Sequence, residues 1–127
     1  MPYRYVVDIG LGLVISTGWG HVTFEEMKAH QERLLNDREF DPRFNQLVDG
    51  TAVTALEATP DELKTIVGHR FFSPTSRRAF LASSLPILGM ARLMELYSKM
   101  EPGREQVCVF HDRESAMRWL GVEVPSV

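Results

Sequence analysis

The 127-residue chain carries 14 basic and 17 acidic residues, a net charge of −3, one cysteine, and hydrophobic residues at 44% of its positions. This length suits one domain of about 100–150 residues, and the composition is that of a globular protein. The charge balance argues against nucleic-acid binding, which needs a basic surface, and one cysteine excludes an internal disulfide. The uncharged stretch over residues 9–22 is broken by glycines and hydroxyl residues, so we expect no integral membrane segment and a cytoplasmic location.

The first elements are two strands. Alternating side chains over Tyr3–Ile9 predict a half-buried strand, and Gly10 and Gly12 permit a tight reversal. Leu13–Thr17 reads as a second strand, antiparallel to the first, that ends at Gly18–Gly20.

The middle of the chain alternates helices and strands. Thr23 and Glu26 form a capping box that begins a helix, and Gln31 interrupts its apolar face. The apolar positions of this helix are Phe24, Met27, Leu34 and Leu35. Asn45–Asp49 reads as a short strand, followed by a loop over Thr51–Ala58.

A second capping box begins the next helix. Thr59 caps it, Pro60 lies in its first turn and Glu62 completes the box. Its predicted core positions are Leu63, Ile66, Val67 and Phe71. The polar, basic stretch Ser73–Arg78 either contacts phosphate or a protein partner or, as we expect, forms a solvated edge. It leads into a strand over Arg77–Ser83.

The third helix spans Ser84 to Met100 and is apolar around more than half of its circumference, so more than one neighbour must cover it. Gln106–Phe110 is a nearly continuous apolar run, which is typical of a strand buried on both faces. Asp112 caps a last helix that Gly121 closes, and residues 122–127 form a short tail.

This order of elements predicts an α/β fold. An N-terminal β-hairpin and helix are followed by three β-α units, which favours a mixed, mostly parallel five-stranded sheet with four helices in a single domain over residues 1–127.

The chain from about Tyr3 to Gly121 resembles the SpoIIAA-like branch of the STAS superfamily, small bacterial domains of the anti-sigma-factor-antagonist type that are also compared with lipid-binding CRAL-TRIO domains. The segments that carry the resemblance are Gly20–Thr23, Leu47–Asp49, Arg78–Ala82, Gly89–Arg92, Phe110–Asp112 and Ala116–Leu120. Antagonists of this type carry a phosphorylatable serine where this chain has Ala58–Asp61. The resemblance therefore implies the fold without the phosphoswitch.

Candidate binding residues lie where the parallel strands end, because ligands of open α/β sheets bind outside the carboxyl ends of the strands. These candidates are Asp49, Thr51, Thr59, Ser83, Ser84 and His111. Thr59, Ser84 and Asp112 begin helices, so they either attract an anion or serve only as caps. Asp49 either contacts a ligand or ties down the loop that follows it.

The sequence gives little support for a catalytic site. Cys108 lies within a strand between two valines, where it acts as a small buried hydrophobe, and the four histidines share no metal-binding spacing. No nucleophile–base pair can be assembled from spacing. We therefore expect no catalytic residue, metal or cofactor.

Two functions remain open. The first is a non-enzymatic regulatory or protein-interaction module, working as a homodimer or with a protein partner, whose seam is formed by residues of the third helix, namely Met90, Leu93, Met94, Tyr97 and Met100. The alternative is a carrier of a small-molecule or lipid-like ligand, bound in an apolar pocket between the third helix and the sheet.

Overall fold

The computed structural model describes residues 2–122, so most of the predicted tail lies outside the described residues. In chain order the elements are β1 (Tyr3–Asp8), β2 (Leu13–Thr23), α1 (Phe24–Leu35), β3 (Asn45–Glu57), α2 (Pro60–Gly68), β4 (Arg77–Leu81), α3 (Leu85–Lys99), β5 (Gln106–Phe110) and α4 (Arg113–Trp119). Both predicted capping boxes are present, with Thr23 and Thr59 as the caps. Within residues 2–122, no helix combines the length and the apolar run that crossing a membrane requires.

The five strands form one sheet in the order β1-β2-β3-β4-β5. β1 and β2 are antiparallel, and every later pair is parallel. The predicted architecture, a hairpin followed by β-α units in a mixed sheet, is therefore confirmed.

The helices divide unequally between the two faces of the sheet. The crossovers through α1, α2 and α3 all advance in the same direction along the sheet, so crossovers of one hand place these helices on one face. α4 follows the last strand and packs on the other face, where Ala116 and Leu120 contact Leu13, Leu47 and Ala79. We call the first side the three-helix face and the second the α4 face.

β2 and β3 are longer than predicted. Gly18–Gly20 was expected to end β2, but the strand continues to Thr23, and the register shifts at two points along this stretch. Gly20 has a φ of +64°, so it bends the strand at a bulge without ending it. Because the extension of β2 pairs with Ala52–Glu57, the loop expected there is also strand.

Other expectations at the edges were wrong in detail. β5 is an edge strand, in which Val107 and Val109 are buried while Cys108 is only partly so. Leu35 is exposed, because the buried side of α1 is shared instead by Met27, His30, Gln31 and Leu34. Phe71 is buried as predicted, but it lies beyond the end of α2.

Candidate functional site

Three of the predicted binding residues come together where β4 ends, although Asp49 and Thr51 lie within β3 because that strand is longer than predicted. The Asp49 carboxylate accepts hydrogen bonds from the Thr51 backbone N–H (3.0 Å) and hydroxyl (2.7 Å), and from Arg113 (2.9 Å). The Ser83 hydroxyl donates to the Thr51 carbonyl at 3.3 Å. These bonds tie β3 to the segment after β4 and to α4, in line with a structural role for Asp49.

The residues at the helix starts differ in what they do. Thr59 exchanges hydrogen bonds with Glu62, at 2.9 and 3.1 Å, and is engaged as a cap. Ser84 occupies the N-cap position of α3, but its side chain makes no capping bond. His111 is exposed beside the start of α4. Among residues 2–122, no hydrogen bond joins Thr59, Ser84 and His111 to one another.

The three candidate residues of α3 share one side of the helix but differ in burial. Met94 is buried and lines a cavity beneath the helix. Met90 and Tyr97 are half-buried against the same core, and the Lys64 ammonium lies 5.9 Å from the centre of the Tyr97 ring. Of the three, only Met94 reaches the cavity.

That cavity lies between the sheet and helices α1, α2 and α3, and encloses about 90 Å³. Most of its lining is apolar. The apolar lining includes Met27, Leu34, Val53, Leu56, Ile66, Phe80, Ile87, Ala91 and Met94. Tyr3, Val48 and Gly50 also line it and are half-buried, so they mark the side where the cavity approaches solvent.

A chain of buried polar side chains runs across the sheet beside this cavity. Arg78 Nε donates to Gln46 Oε1 (2.8 Å), and Gln46 Nε2 donates to Ser16 Oγ (3.0 Å). Ser16 Oγ lies 2.9 Å from Nε2 of His30. These residues come from β4, β3, β2 and α1 in turn, so we call them the polar relay.

The relay is anchored at one end by buried charge. Arg78 contacts Glu105 at 3.3 Å, and Arg104 donates to the other oxygen of Glu105 at 2.8 Å. The rings of Phe71 and Phe72 lie 5.7 and 4.7 Å from the Arg78 guanidinium. Burial lowers the pKa of Arg78 and the Glu105 carboxylate opposes that shift, so the pair holds a charged guanidinium inside the core.

His30 closes the other end of the relay. Tyr3 stacks on its ring, with centroids 4.7 Å apart, and Tyr5 meets it edge-on. Burial, followed by the charges of Arg33 and Arg78, lowers the pKa of His30 from 6.5 to about 4, so the ring is neutral near pH 7. The side chain is 6% exposed, and Nδ1 has no hydrogen-bond partner among residues 2–122.

Most of these residues were missed from the sequence. Gln31 was noted only as an interruption of an apolar face, yet it is buried, lines the cavity and donates to the Ile66 carbonyl at 3.1 Å. Arg78 was expected at a solvated edge but is buried between two paired strands. The available signal was a polar residue at a core-facing position, which marks either an error in the pattern or a buried network.

The thiol of Cys108 shows no activation. Burial, and next the Glu95 carboxylate, raise its pKa, which keeps it protonated and unreactive near neutral pH. Within the described part of the chain, no three His, Cys, Asp or Glu side chains gather to hold a metal ion.

Comparison with known proteins identifies the fold. No family model and no curated protein matches the chain. Its structure is similar to that of a Shewanella loihica PV-4 protein, described as an uncharacterized protein from the DUF3478 family with a SpoIIAA-like fold. The two are 21% identical over 93% of each chain, with a TM-score of 0.57. The predicted SpoIIAA-like fold is confirmed.

Proposed function

We propose that this SpoIIAA-like domain binds a small molecule in the cavity beneath α1, α2 and α3. The observation that carries the proposal is the buried Nδ1 of His30, a polar atom without a protein partner in the described chain, on a residue that lines a mainly apolar cavity. Ligand sites combine these two features, an apolar lining and a few placed polar groups. A buried polar atom costs free energy unless something bonds to it.

The volume of the cavity favours a compact ligand. At about 90 Å³ it is smaller than the roughly 150 Å³ cavity that accepts benzene, so it suits a molecule of a few non-hydrogen atoms better than an acyl chain. Met27 and Met94 line it, and their flexible side chains adapt to varied shapes. Of the two ligand classes expected from the sequence, we therefore propose the small molecule.

Native mass spectrometry of the full chain tests this proposal. We expect a retained mass on the wild type, lost in Ala91→Leu, because the larger side chain fills the cavity from α3. Gly89→Ala is the matched control, since a methyl group there meets nothing within 4 Å and the cavity is untouched. No retained mass, together with no uptake of xenon under pressure by the folded wild type, would contradict the proposal.

A homodimer is the second candidate, favoured by a different part of α3. Leu85, Leu96 and Met100 are 81, 54 and 66% exposed. They share one side of α3 because eleven residues complete about three turns and four residues about one. We propose that a second copy of this stripe covers it, so the proposed seam keeps Met100 of the predicted residues and adds Leu85 and Leu96.

Light scattering coupled to size-exclusion chromatography tests the dimer. We expect a concentration-dependent dimer that Leu96→Glu converts to monomer. Leu35→Glu, at an exposed leucine of α1, is the control and should leave the mass unchanged. A strict monomer at every concentration would reject this second candidate and leave the first untouched.

A further inference from the structure

We infer that the ligand is a compact, neutral, mainly apolar molecule with one hydrogen-bond acceptor, such as a carbonyl oxygen, and that this acceptor binds the Nδ1–H of His30. The inference rests on the proposed function. It adds the chemical class of the ligand, which follows from the direction of hydrogen bonding along the polar relay.

Arg78 sets that direction, because a guanidinium only donates hydrogen bonds. Its Nε lies 2.8 Å from Gln46, so the atom of Gln46 that faces it must be the amide oxygen. The amide nitrogen of Gln46 therefore points the other way and donates to Ser16 Oγ at 3.0 Å.

The hydrogen bonds of the Ser16 hydroxyl decide which nitrogen of His30 carries the proton. This hydroxyl accepts from Gln46, and its own proton needs an acceptor. Among residues 2–122 the structure gives it one, His30 Nε2 at 2.9 Å. Nε2 is thus the unprotonated nitrogen, and a neutral imidazole carries its single proton on the other nitrogen, Nδ1.

The relay consequently leaves the His30 ring with a free donor and no free acceptor. Tyr3 stacks on the ring and restricts its rotation. A donor of this kind selects a ligand oxygen or nitrogen with a lone pair, and leaves an alcohol or amine proton without a partner.

The surroundings favour a neutral ligand over an anion. Of the residues that line the cavity, Arg78 is the cation, and its charge is already paired with Glu105. A carboxylate would lose its hydration beside an apolar lining without gaining a new counter-charge. A carbonyl compound loses less hydration free energy when it enters the cavity, and it still accepts the hydrogen bond from His30.

The tautomer is measured first, on the ¹⁵N-labelled full chain at pH 7, by long-range ¹H–¹⁵N correlation of the histidine rings. We expect His30 to carry its proton on Nδ1. Gln46→Glu should move it to Nε2, because the introduced carboxylate accepts from both Arg78 and Ser16, and Ser16 Oγ then accepts from the ring. Gln31→Met is the control, since Gln31 lies outside the relay, and should keep the proton on Nδ1. The wild-type spectrum decides the point even if a variant does not fold.

Ligand class is then tested with two isosteric probes, 2-butanone and 2-methyl-1-butene. We expect 2-butanone to shift the His30 Nδ1–H resonance and to bind about fivefold more tightly than the alkene, the gain from one neutral hydrogen bond. Gln46→Glu should remove this preference. Equal binding of the two probes, or a wild-type proton on Nε2, would overturn the inference while binding in the cavity stands. Binding of neither probe to a folded chain with the expected tautomer would overturn the proposed function itself.

Discussion

The two faces of the sheet are built from alternate residues of the same strands, yet they are packed in different ways. On the α4 face, Leu13, Leu47 and Ala79 are at most 1% exposed and meet a helix of seven residues. On the three-helix face, the neighbouring positions Gln46 and Arg78 carry a polar relay beside a cavity. Dense apolar packing is sufficient for stability, so the buried polar relay and the cavity beside it are the features on which the proposed binding site rests.

The largest expected effect tests the buried charges of the three-helix face. Glu105→Gln leaves Arg78 and Arg104 without their shared carboxylate, and removing one partner of a buried pair costs about 3–5 kcal/mol of unfolding free energy. Chemical denaturation measures the loss. On the other face, Glu114→Gln breaks the exposed pair with Arg118 and should change the midpoint little. Equal effects of the two changes would show that the relay is solvated.

The next effect is a pH dependence from His30. Its pKa of about 4 in the folded chain, against 6.5 when unfolded, means that between these values the unfolded state binds the extra proton. Stability from this group is therefore complete above pH 6.5 and falls by about 3 kcal/mol as the pH drops to about 4.

His30→Gln should remove that part of the pH dependence, as measured by the denaturation midpoint at several pH values. His111→Gln, at an exposed histidine, should retain it. Parallel curves for the wild type and His30→Gln would mean that His30 titrates normally.

A matched pair of alanines compares the packing of the two faces directly. Ala116 of α4 is fully buried, so Ala116→Leu should overpack that face and cost about 1–3 kcal/mol. Ala91→Leu projects into the cavity and should cost less than about 1 kcal/mol or stabilise the chain. Thermal unfolding of both variants gives the comparison, and similar losses would argue that the cavity closes in solution.

The smallest effect concerns the helix starts on the three-helix face. Thr23 caps α1 with a bond from the Glu26 N–H, so Thr23→Ala should cost about 1 kcal/mol. Ser84 makes no such bond at α3, and Ser84→Ala should be nearly neutral. If both changes cost the same, the Ser84 hydroxyl caps its helix in solution.

The features that could be predicted from the sequence are those that depend on residues close together in the chain. Capping boxes at Thr23 and Thr59 located two helices, and alternation located the strands, because both depend on neighbouring residues. The relay depends on strand register: Gln46 and Arg78 are direct partners across β3 and β4 although they are 32 residues apart. A polar residue at an alternating strand position looks solvent-facing until the neighbouring strand and its covering helix are known.

The order of the strands has a consequence for biosynthesis. Sheet order follows chain order from β1 to β5, so no strand must be inserted between two that have already paired. A chain emerging from the ribosome extends the sheet at one growing edge, each new strand pairing with the one made just before it. The edge of β4 therefore stays open until Gln106–Phe110 is made, and during this interval it can mispair with another nascent chain.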